Sequence, residues 1–332
     1  MNLLFITSTR IGDAVLSTGL LDHLIRAERA AGRGVPRVTV AVGAPAAALF
    51  AAVPGIERVI PIVKRRYAGH WRDLWRAVIG THWDMVVDLR GSAIAWTLRA
   101  RRRRVLARHD GGRHKLFQLA GTLDLDTPPA PRIWTRPQDH DAATRALPAD
   151  GRRLLVVAPA ANWVGKQWPA DRFASLVGRL AGPKGRLGGA SVAVIAAAHE
   201  RPQAEPVLSA AHALSLNAPD IVGTLPLLAV QALLERADLF VGNDSGLMHM
   251  AAAAGAPTVG LFGPTSDVVY GPWGDHAVAV RTPESHHQLA AERSSSPADR
   301  CYMTDLAVDT VERAAVALLD RVGVARPGLV TQ

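Results

Sequence analysis

Residues 241–265 of the sequence, VGNDSGLMHMAAAAGAPTVGLFGPT, place an acid, a hydroxyl, a glycine and a histidine close together among small apolar residues. The run ADLFVGN predicts a buried strand, and Asp244 or Ser245 is predicted to cap the helix that follows. A helix whose first turn contains Gly246 offers free backbone N–H groups and the positive end of its dipole, which suits a diphosphate. Capping alone explains the aspartate, but it explains neither the glycine nor His249 one turn later. The stretch therefore predicts an anion-binding site.

A carboxylate near the N-terminus is the second candidate. Asp13 lies in the loop STRIGD, after the apolar run Leu3–Ile6 and at the start of a segment with apolar residues at helical spacing. Such a carboxylate could act as a general base on a hydroxyl. An aspartate in a first helical turn also stabilises the helix dipole without any catalytic role, so its position alone leaves both interpretations open.

A lysine in the stretch APAANWVGKQWPADRFASL is the third candidate. Lys166 is one of four lysines in a chain whose positive charge comes otherwise from arginine, which suggests that a compact, rotatable charge is needed there. It lies in a loop after a predicted strand and ahead of a helix that Asp171 is predicted to cap. A phosphate contact is the functional interpretation, and a solvated loop lysine is the alternative.

Two basic clusters could bind an anionic partner. Lys64, Arg65 and Arg66 follow the predicted strand VIPIV, where they are well placed for a substrate, and arginine suits phosphate and carboxylate through paired contacts. The run Arg99–Arg104 is predicted to be an exposed helix face that could touch anionic lipid.

Other motifs exclude several kinds of site. The sequence has no G-x-G-x-x-G after its first strand and no P-loop, so neither a dinucleotide fingerprint nor a Walker motif is present. Asp124–Asp126 resembles the metal-binding acid pair of some sugar transferases, but it lies in a proline-rich stretch and is discounted. His286, His287 and Cys301 lack metal-ligand spacing, and we predict no metal and no cofactor.

Composition indicates an intracellular protein with an anionic partner. The single cysteine permits no internal disulfide and suits a reducing cytoplasm, and charged residues follow the first strand too early for a signal peptide. A net charge of +9 favours nucleic acid, an acidic membrane surface or a phosphorylated substrate, unless it reflects a compositional bias of the host. Aromatic residues make up only 5%, and no stacking pattern accompanies the arginines, so nucleic acid is the least favoured of the three.

Elements alternating between strand and helix must position these residues. The alternation predicts an α/β protein with parallel, doubly wound sheets. It weakens from about residue 123 to 150, which predicts a linker. We therefore expect a Rossmann-like domain over 1–150, linker included, a second over 151–307, and a last helix over 308–325. Ligands of such sheets bind beyond the carboxyl ends of the strands, so the predicted site is a cleft between the domains.

The motifs together resemble glycosyltransferase family 9, the bacterial heptosyltransferases of lipopolysaccharide assembly. The matching stretches are IGDAVLSTGLL near the N-terminus, KQWP early in the second domain, NDSGLMHMAAAAGAPTVGLFGPT, and the C-Y-M element at Cys301–Met303. The resemblance extends over nearly the whole chain, and the conjunction of these stretches in this order is specific.

This resemblance implies a GT-B fold, with the acceptor on the N-terminal domain, the nucleotide sugar on the C-terminal domain, and the last helix packing back on the first. It implies an inverting, metal-independent transfer from ADP-heptose to a Kdo or heptose hydroxyl of an anionic glycolipid, in the cytoplasm and peripheral to the inner membrane. Asp13 takes the role of base, and Lys166 supports the leaving diphosphate. The donor set is Asn162, Lys166, Glu200, Asp244, Ser245, Gly246 and His249, and the acceptor set is Ser8, Thr9, Lys64, Arg65 and Arg66.

Some positions depart from the family pattern. Gly19 stands where members often have proline, Ala161 and Asn162 stand where they often have hydroxyl residues, and Glu200 is a loose match for the residue that holds the ribose. These departures leave two alternatives open: a transferase of the same fold that uses another nucleotide sugar, and a catalytically idle glycan- or nucleotide-binding protein.

Overall fold

The computed structural model describes residues 1–107, 111–293, 296–297 and 299–325. They form two compact units, divided between Arg136 and Pro137. Each unit contains one five-stranded parallel sheet with helices, so the predicted α/β, doubly wound architecture is confirmed.

The first unit has strand order β3-β2-β1-β4-β5. Its central strands are buried and nearly continuously apolar, as expected when helices cover both faces of a parallel sheet. The strands are β1 Asn2–Ile6, β2 Arg37–Gly43, β3 Ile56–Ile62, β4 Trp83–Asp88 and β5 Ala100–Val105, and the α-helices are α1 Ile11–Ala30, α2 Gly69–Val78, α3 Ile94–Thr97 and α4 Lys115–Ala120.

The second unit has strand order β10-β9-β8-β6-β7. Its strands are β6 Leu154–Ala158, β7 Ser191–Val194, β8 Leu239–Asn243, β9 Thr258–Phe262 and β10 Ala277–Arg281. Its α-helices are α5 Pro137–Ala146, α6 Ala170–Ala181, α7 Arg201–Ala213, α8 Leu227–Leu234, α9 Gly246–Ala253, α10 Asp267–Tyr270, α11 His286–Arg293 and α12 Val308–Ala325.

Strand order determines where ligands can bind in each unit. In the first sheet the chain order reverses between β1 and β4, and in the second it reverses between β6 and β8. At such a switch point the loops leave the two strands toward opposite faces and open a crevice. The loops after β1, β4, β6 and β8 are therefore the ones to search for chemistry.

The arginine run forms a strand and not the predicted helix face. It includes edge strand β5, in which Arg103 donates to the carbonyls of Ala95 (2.9 Å), Leu98 (2.6 Å) and Ala100 (3.0 Å). Arginine has no local preference for strands, but pairing with β4 and these three contacts override propensity. A charged edge also discourages pairing with other chains.

The predicted linker contains structure of its own. Helix α5 lies within residues 123–150, begins with a proline at a position where its missing N–H costs nothing, and packs against α8 in the second unit. The break between the units accordingly lies nearer residue 136 than residue 150. Helix α12 packs against α6 of the same unit, and its predicted packing on the N-terminal domain stays a prediction.

One local prediction was also wrong. The N-cap of α6 is Pro169, so Asp171 lies in the first turn and does not cap it.

A close backbone approach accounts for Gly19 in α1. A Cβ at this position would lie 2.4 Å from the carbonyl oxygen of Pro129 and 2.6 Å from that of Ala130. The neighbouring Thr18 hydroxyl accepts a hydrogen bond from the Arg132 backbone N–H at 2.9 Å. The segment around Pro129 therefore lies directly on α1, and only glycine leaves room for it.

Gly19→Ala should destabilise the protein by about 2 kcal/mol, because the added methyl group meets backbone rather than a movable side chain. Urea unfolding measures the effect. Gly323→Ala is the matched control, since Gly323 lies in α12 and a Cβ there would meet no atom within 4 Å, and alanine should stabilise by about 0.5 kcal/mol. Equal stability of the Gly19 variant and the parent protein would show that the segment moves aside at no cost.

Candidate functional site

A lysine–aspartate ion pair occupies the switch point of the second sheet. Strands β6 and β8 are parallel neighbours, so the loops that follow them lie side by side. Lys166 Nζ is 2.5 Å from Asp244 Oδ2, and the two side chains are 22% and 9% exposed. The two residues are 78 positions apart, and sequence analysis treated them as separate candidates for a diphosphate site. The structure brings them into contact.

The start of α9 adjoins this ion pair. Ser245 is the N-cap in an extended conformation, but its side chain makes no capping hydrogen bond. Its Oγ is buried and has no hydrogen-bond partner among the described residues. Asp244 pairs with Lys166 instead. Neither of the two predicted capping side chains therefore accepts a hydrogen bond from the backbone N–H groups of the first turn. The buried hydroxyl and these N–H groups form an arrangement that an anion would satisfy.

The two remaining members of this stretch lie in α9 itself. Gly246 is the first residue of the helix, and His249 lies one turn later with only 4% of its surface exposed. Most residues of α9 are buried as well, so packing fixes the position of the helix and of its N-terminus. A rigid helix start needs no rearrangement when charge develops near it.

The Lys166 loop is held from below by side chains that the sequence motifs did not indicate. Fully buried Asn243 accepts from the Trp168 backbone N–H at 3.0 Å and donates to the Pro159 carbonyl at 2.7 Å. Trp168 is itself buried and donates through its ring nitrogen to the Leu306 carbonyl at 2.8 Å. A polar residue at the end of the apolar strand ADLFVGN was the signal that could have identified Asn243.

The C-Y-M element packs against the same loop. Cys301 Sγ lies 3.1 Å from the Gln167 carbonyl, and the Tyr302 backbone N–H donates to the Gly165 carbonyl at 3.2 Å. The rings of Trp163 and Tyr302 lie 5.8 Å apart. The C-Y-M element therefore positions the loop that carries Lys166. This contact explains why the element accompanies the other motifs.

Two further donor candidates lie at the same edge of the sheet. Asn162 is exposed in the loop between β6 and Lys166. Glu200 follows β7, and its Oε2 accepts from the Ala197 backbone N–H at 2.9 Å. Its carboxylate closes a tight turn, and a contact with ribose stays a prediction.

Asp13 lies at the switch point of the first sheet, in the first turn of α1, where it is half-buried. No hydrogen bond or ion pair to its carboxylate is found in the described parts of the chain. The preceding loop is fixed on β2, because Gly43 donates to the Ser8 carbonyl at 3.1 Å and a Cβ at Gly43 would meet Thr9 Cα at 2.4 Å. Ser8 and Thr9 are thus fixed at the carboxyl end of the sheet, and Asp13 follows them in the first turn of α1.

Asp88 is a buried acid that the sequence motifs did not indicate, at the carboxyl end of β4 beside β1. It accepts hydrogen bonds from the backbone N–H groups of Arg90 (2.8 Å) and Ser92 (2.9 Å) and from the Ser92 hydroxyl (2.6 Å). Burial raises its pKa, against the lowering effect of these hydrogen bonds. The guanidinium of Arg90 lies 5.3 Å from the Trp71 ring. The acid directly after an apolar strand, in DMVVDLRGS, was the available signal.

The basic cluster lies at the sheet edge, after β3. Lys64, Arg65 and Arg66 are exposed, and Arg65 pairs with Asp73 at 2.7 Å. A cavity of about 260 Å³, lined in part by Arg65 and His70, lies beside them. Since β2 separates β3 from β1, the strand that precedes the cluster lies about 10 Å from β1, the strand that precedes the Asp13 helix. That spacing suits a ligand larger than one sugar ring.

Neither a metal cluster nor a membrane span is found in the described residues. No group of three or more histidine, cysteine, aspartate or glutamate side chains there could hold a metal ion. The discounted Asp124 pairs with Arg104 at 2.6 Å. No helix in the described part of the chain is long and apolar enough to cross a membrane.

Two doubly wound units with polar switch points define the GT-B fold class, and solved structures agree. The chain resembles the E. coli ADP-heptose lipopolysaccharide heptosyltransferase II with a TM-score of 0.74 and 20% identity, over 97% of this chain and 100% of that one. It resembles the E. coli heptosyltransferase WaaC with ADP with a TM-score of 0.69 and 19% identity, over 96% and 100%. The protein has the fold of the GT-B glycosyltransferases.

Sequence comparison identifies the family. Residues 102–298 match the family model for glycosyltransferase family 9 (heptosyltransferase), and the chain belongs to that family. It is 26% identical to lipopolysaccharide heptosyltransferase 1 of Pseudomonas aeruginosa, and the match covers 82% of each chain. The resemblance inferred from the motifs is confirmed, and the protein is a glycosyltransferase.

Proposed function

We propose that the protein transfers heptose from ADP-heptose to a Kdo or heptose hydroxyl of the lipopolysaccharide inner core, with inversion and without a metal ion. The observation that carries this proposal is the Lys166–Asp244 pair beside the open first turn of α9. The Lys166 ammonium and the N–H groups of this first turn supply positive charge for a departing diphosphate from protein groups alone. Family membership and the heptosyltransferase relatives support the heptose donor and the glycolipid acceptor.

The donor site acts on the leaving group. As the bond between the anomeric carbon and the β-phosphate oxygen breaks, negative charge grows on ADP. The Lys166 ammonium and the N–H groups at Gly246 stabilise this negative charge, and the Ser245 hydroxyl donates a hydrogen bond to a phosphate oxygen. Asp244 keeps the lysine in place and offers its second oxygen to a sugar hydroxyl. Asn162, Glu200 and His249 complete the donor set.

The acceptor site acts on the nucleophile. The Asp13 carboxylate accepts the proton of the acceptor hydroxyl while that oxygen forms its bond to the anomeric carbon from the face opposite ADP, which inverts the configuration. Ser8 and Thr9 contact the acceptor sugar on the same loop. Lys64, Arg65 and Arg66 bind its anionic groups, and the reaction takes place in the cytoplasm at the inner membrane, where such a glycolipid is assembled.

Incubation with ADP-heptose and a Kdo-containing lipid A acceptor in the presence of EDTA tests the proposal. We expect a product heavier by one heptose in the mass spectrum, with an anomeric configuration opposite to that of the donor. Loss of turnover with EDTA would contradict metal independence. Protection against thermal unfolding by a different nucleotide sugar, without turnover of ADP-heptose, would assign another donor. Failure to bind any nucleotide sugar would refute the proposed transfer.

A further inference from the structure

Helices α2 and α3 cover the same face of the first sheet. Leu74 and Val78 of α2 and Ile94 of α3 belong to one buried apolar cluster that also contains sheet residues such as Leu4 and Val86. The outward sides of the two helices therefore belong to one surface of the N-terminal unit. This surface contains none of the proposed donor residues.

Arginine and tryptophan side chains occupy the outward side of α2. Arg72 and Arg76 are one turn apart and exposed, on the side of the helix away from Leu74 and Val78. Trp75 lies between them in sequence and is 39% exposed. An exposed tryptophan beside two arginines is unusual for a surface that faces only water, because large aromatic side chains are normally buried.

The segment around α3 repeats this composition. Trp96 is 67% exposed, and Arg99 is exposed where the chain enters β5. Arg101 is also exposed and lies on the same side of the sheet as Arg103, whose side chain reaches Leu98 next to α3. We call the set the tryptophan–arginine face, and its members are Arg72, Trp75, Arg76, Trp96, Arg99 and Arg101.

Among the described residues, an acidic side chain pairs with only one arginine of this face, Arg101. Asp73 of α2 pairs with Arg65 at 2.7 Å, outside the set. Asp84 accepts from the Asn2 backbone N–H at 2.8 Å and lies 3.8 Å from Arg101. Within the described residues, no carboxylate lies within ion-pair distance of Arg72, Arg76 or Arg99. The face thus keeps most of its positive charge.

We propose that the tryptophan–arginine face docks on an anionic lipid bilayer. Arginine binds lipid phosphates through paired hydrogen bonds, and each cation near an anionic membrane surface adds to the attraction. Tryptophan partitions to the headgroup level, where its ring contacts the acyl region and its N–H stays solvated. The proposal goes beyond the proposed function, which requires a lipid-linked acceptor but assigns no surface to the bilayer.

The rest of β5 shows that charge alone does not define the face. Arg102 follows Arg101 directly in β5, so its side chain lies on the opposite side of the sheet, where its charge lowers the pKa of Glu28 of α1. Arg104 likewise pairs with Asp124. The arginine run is therefore divided by the strand pleat, and only its odd-numbered members face the α2–α3 surface.

Flotation with vesicles of phosphatidylethanolamine and phosphatidylglycerol, which contain no glycan acceptor, tests the proposal. The parent protein should float with these vesicles and remain below vesicles of phosphatidylcholine. Arg72→Ala/Arg76→Ala should weaken binding roughly 25-fold, about fivefold for each arginine. Trp96→Ala should weaken it further without changing net charge. Arg29→Ala/Arg153→Ala is the matched control, because both side chains are exposed and lie outside the face.

The outcomes separate lipid docking from other roles of the face. No flotation of the parent protein, or an equal loss in the control, would overturn the proposal. Loss of RNA binding in the Arg72/Arg76 variant with unchanged vesicle binding would also overturn it and would assign the face to nucleic acid. Turnover of a deacylated, water-soluble acceptor should stay unchanged in the variant. Vesicle binding by a protein that transfers no heptose would refute the proposed function and leave this inference intact.

Discussion

Asp13→Asn is expected to reduce kcat by about 10²–10⁴-fold, the usual contribution of a general base. Asparagine has the shape of aspartate but cannot accept a proton from the acceptor hydroxyl. Asp13 is half-buried in the first turn of a long helix. Its replacement should therefore lower the free energy of unfolding by only about 0.5 kcal/mol, through the lost interaction with the helix dipole. The expected result is therefore an enzyme that folds, binds ADP-heptose and transfers almost nothing.

Two measurements separate catalysis from folding in this variant. Calorimetric titration with ADP should give the parent affinity, because Asp13 belongs to the N-terminal unit and the diphosphate candidates belong to the other. Asp309→Asn is the matched control, since Asp309 lies in the first turn of α12 as Asp13 does in α1. Its kcat should be close to that of the parent. Activity of the Asp13 variant above about one tenth of the parent value would remove Asp13 from the role of base.

The sequence contains enough information for the fold because strands and helices alternate with different periodicities. Continuous apolar runs such as LLVVA in β6 are too short and too uniformly apolar for surface helices. The segments that were misassigned lack that contrast. Arginines in β5 carry no strand signal, and the prolines before α5 obscure a helix that is defined by its packing on α8.

The candidate site is predictable in part for a related reason. Residue type and local position point to Lys166 and Asp244 separately, since each follows a strand. Their 2.5 Å contact depends on β6 and β8 being neighbours, which no local pattern states. Asn243 and Asp88 were missed because their roles consist of hydrogen bonds to backbone groups distant in sequence or made by a loop conformation. Such roles become visible only once the strand order is known.

Lys166→Met is expected to lower kcat by about 10²–10³-fold, because it removes the cation that stabilises the negative charge on the departing ADP. It should also destabilise the protein by about 3 kcal/mol, since Asp244, only 9% exposed, would lose its partner. A single variant therefore cannot distinguish a catalytic lysine from a structural one. Lys184→Met, at an exposed lysine of the same unit, should change neither quantity.

The double variant Lys166→Met/Asp244→Asn resolves this ambiguity. Replacing both charges removes the unpaired buried carboxylate, so urea unfolding should return to near the parent stability. Because the proposed Asp244 contact is to the donor sugar, which ADP lacks, a weak affinity for ADP despite the recovered fold assigns Lys166 to the diphosphate, and kcat should also stay low. Recovery of both stability and turnover would show that the ion pair is structural, and the charge of the leaving group would then rest on the first turn of α9 alone. The buried Ser245 hydroxyl lacks a partner among the described residues and is unchanged in the double variant, so the kcat that remains in that variant measures what the helix start contributes without the ion pair.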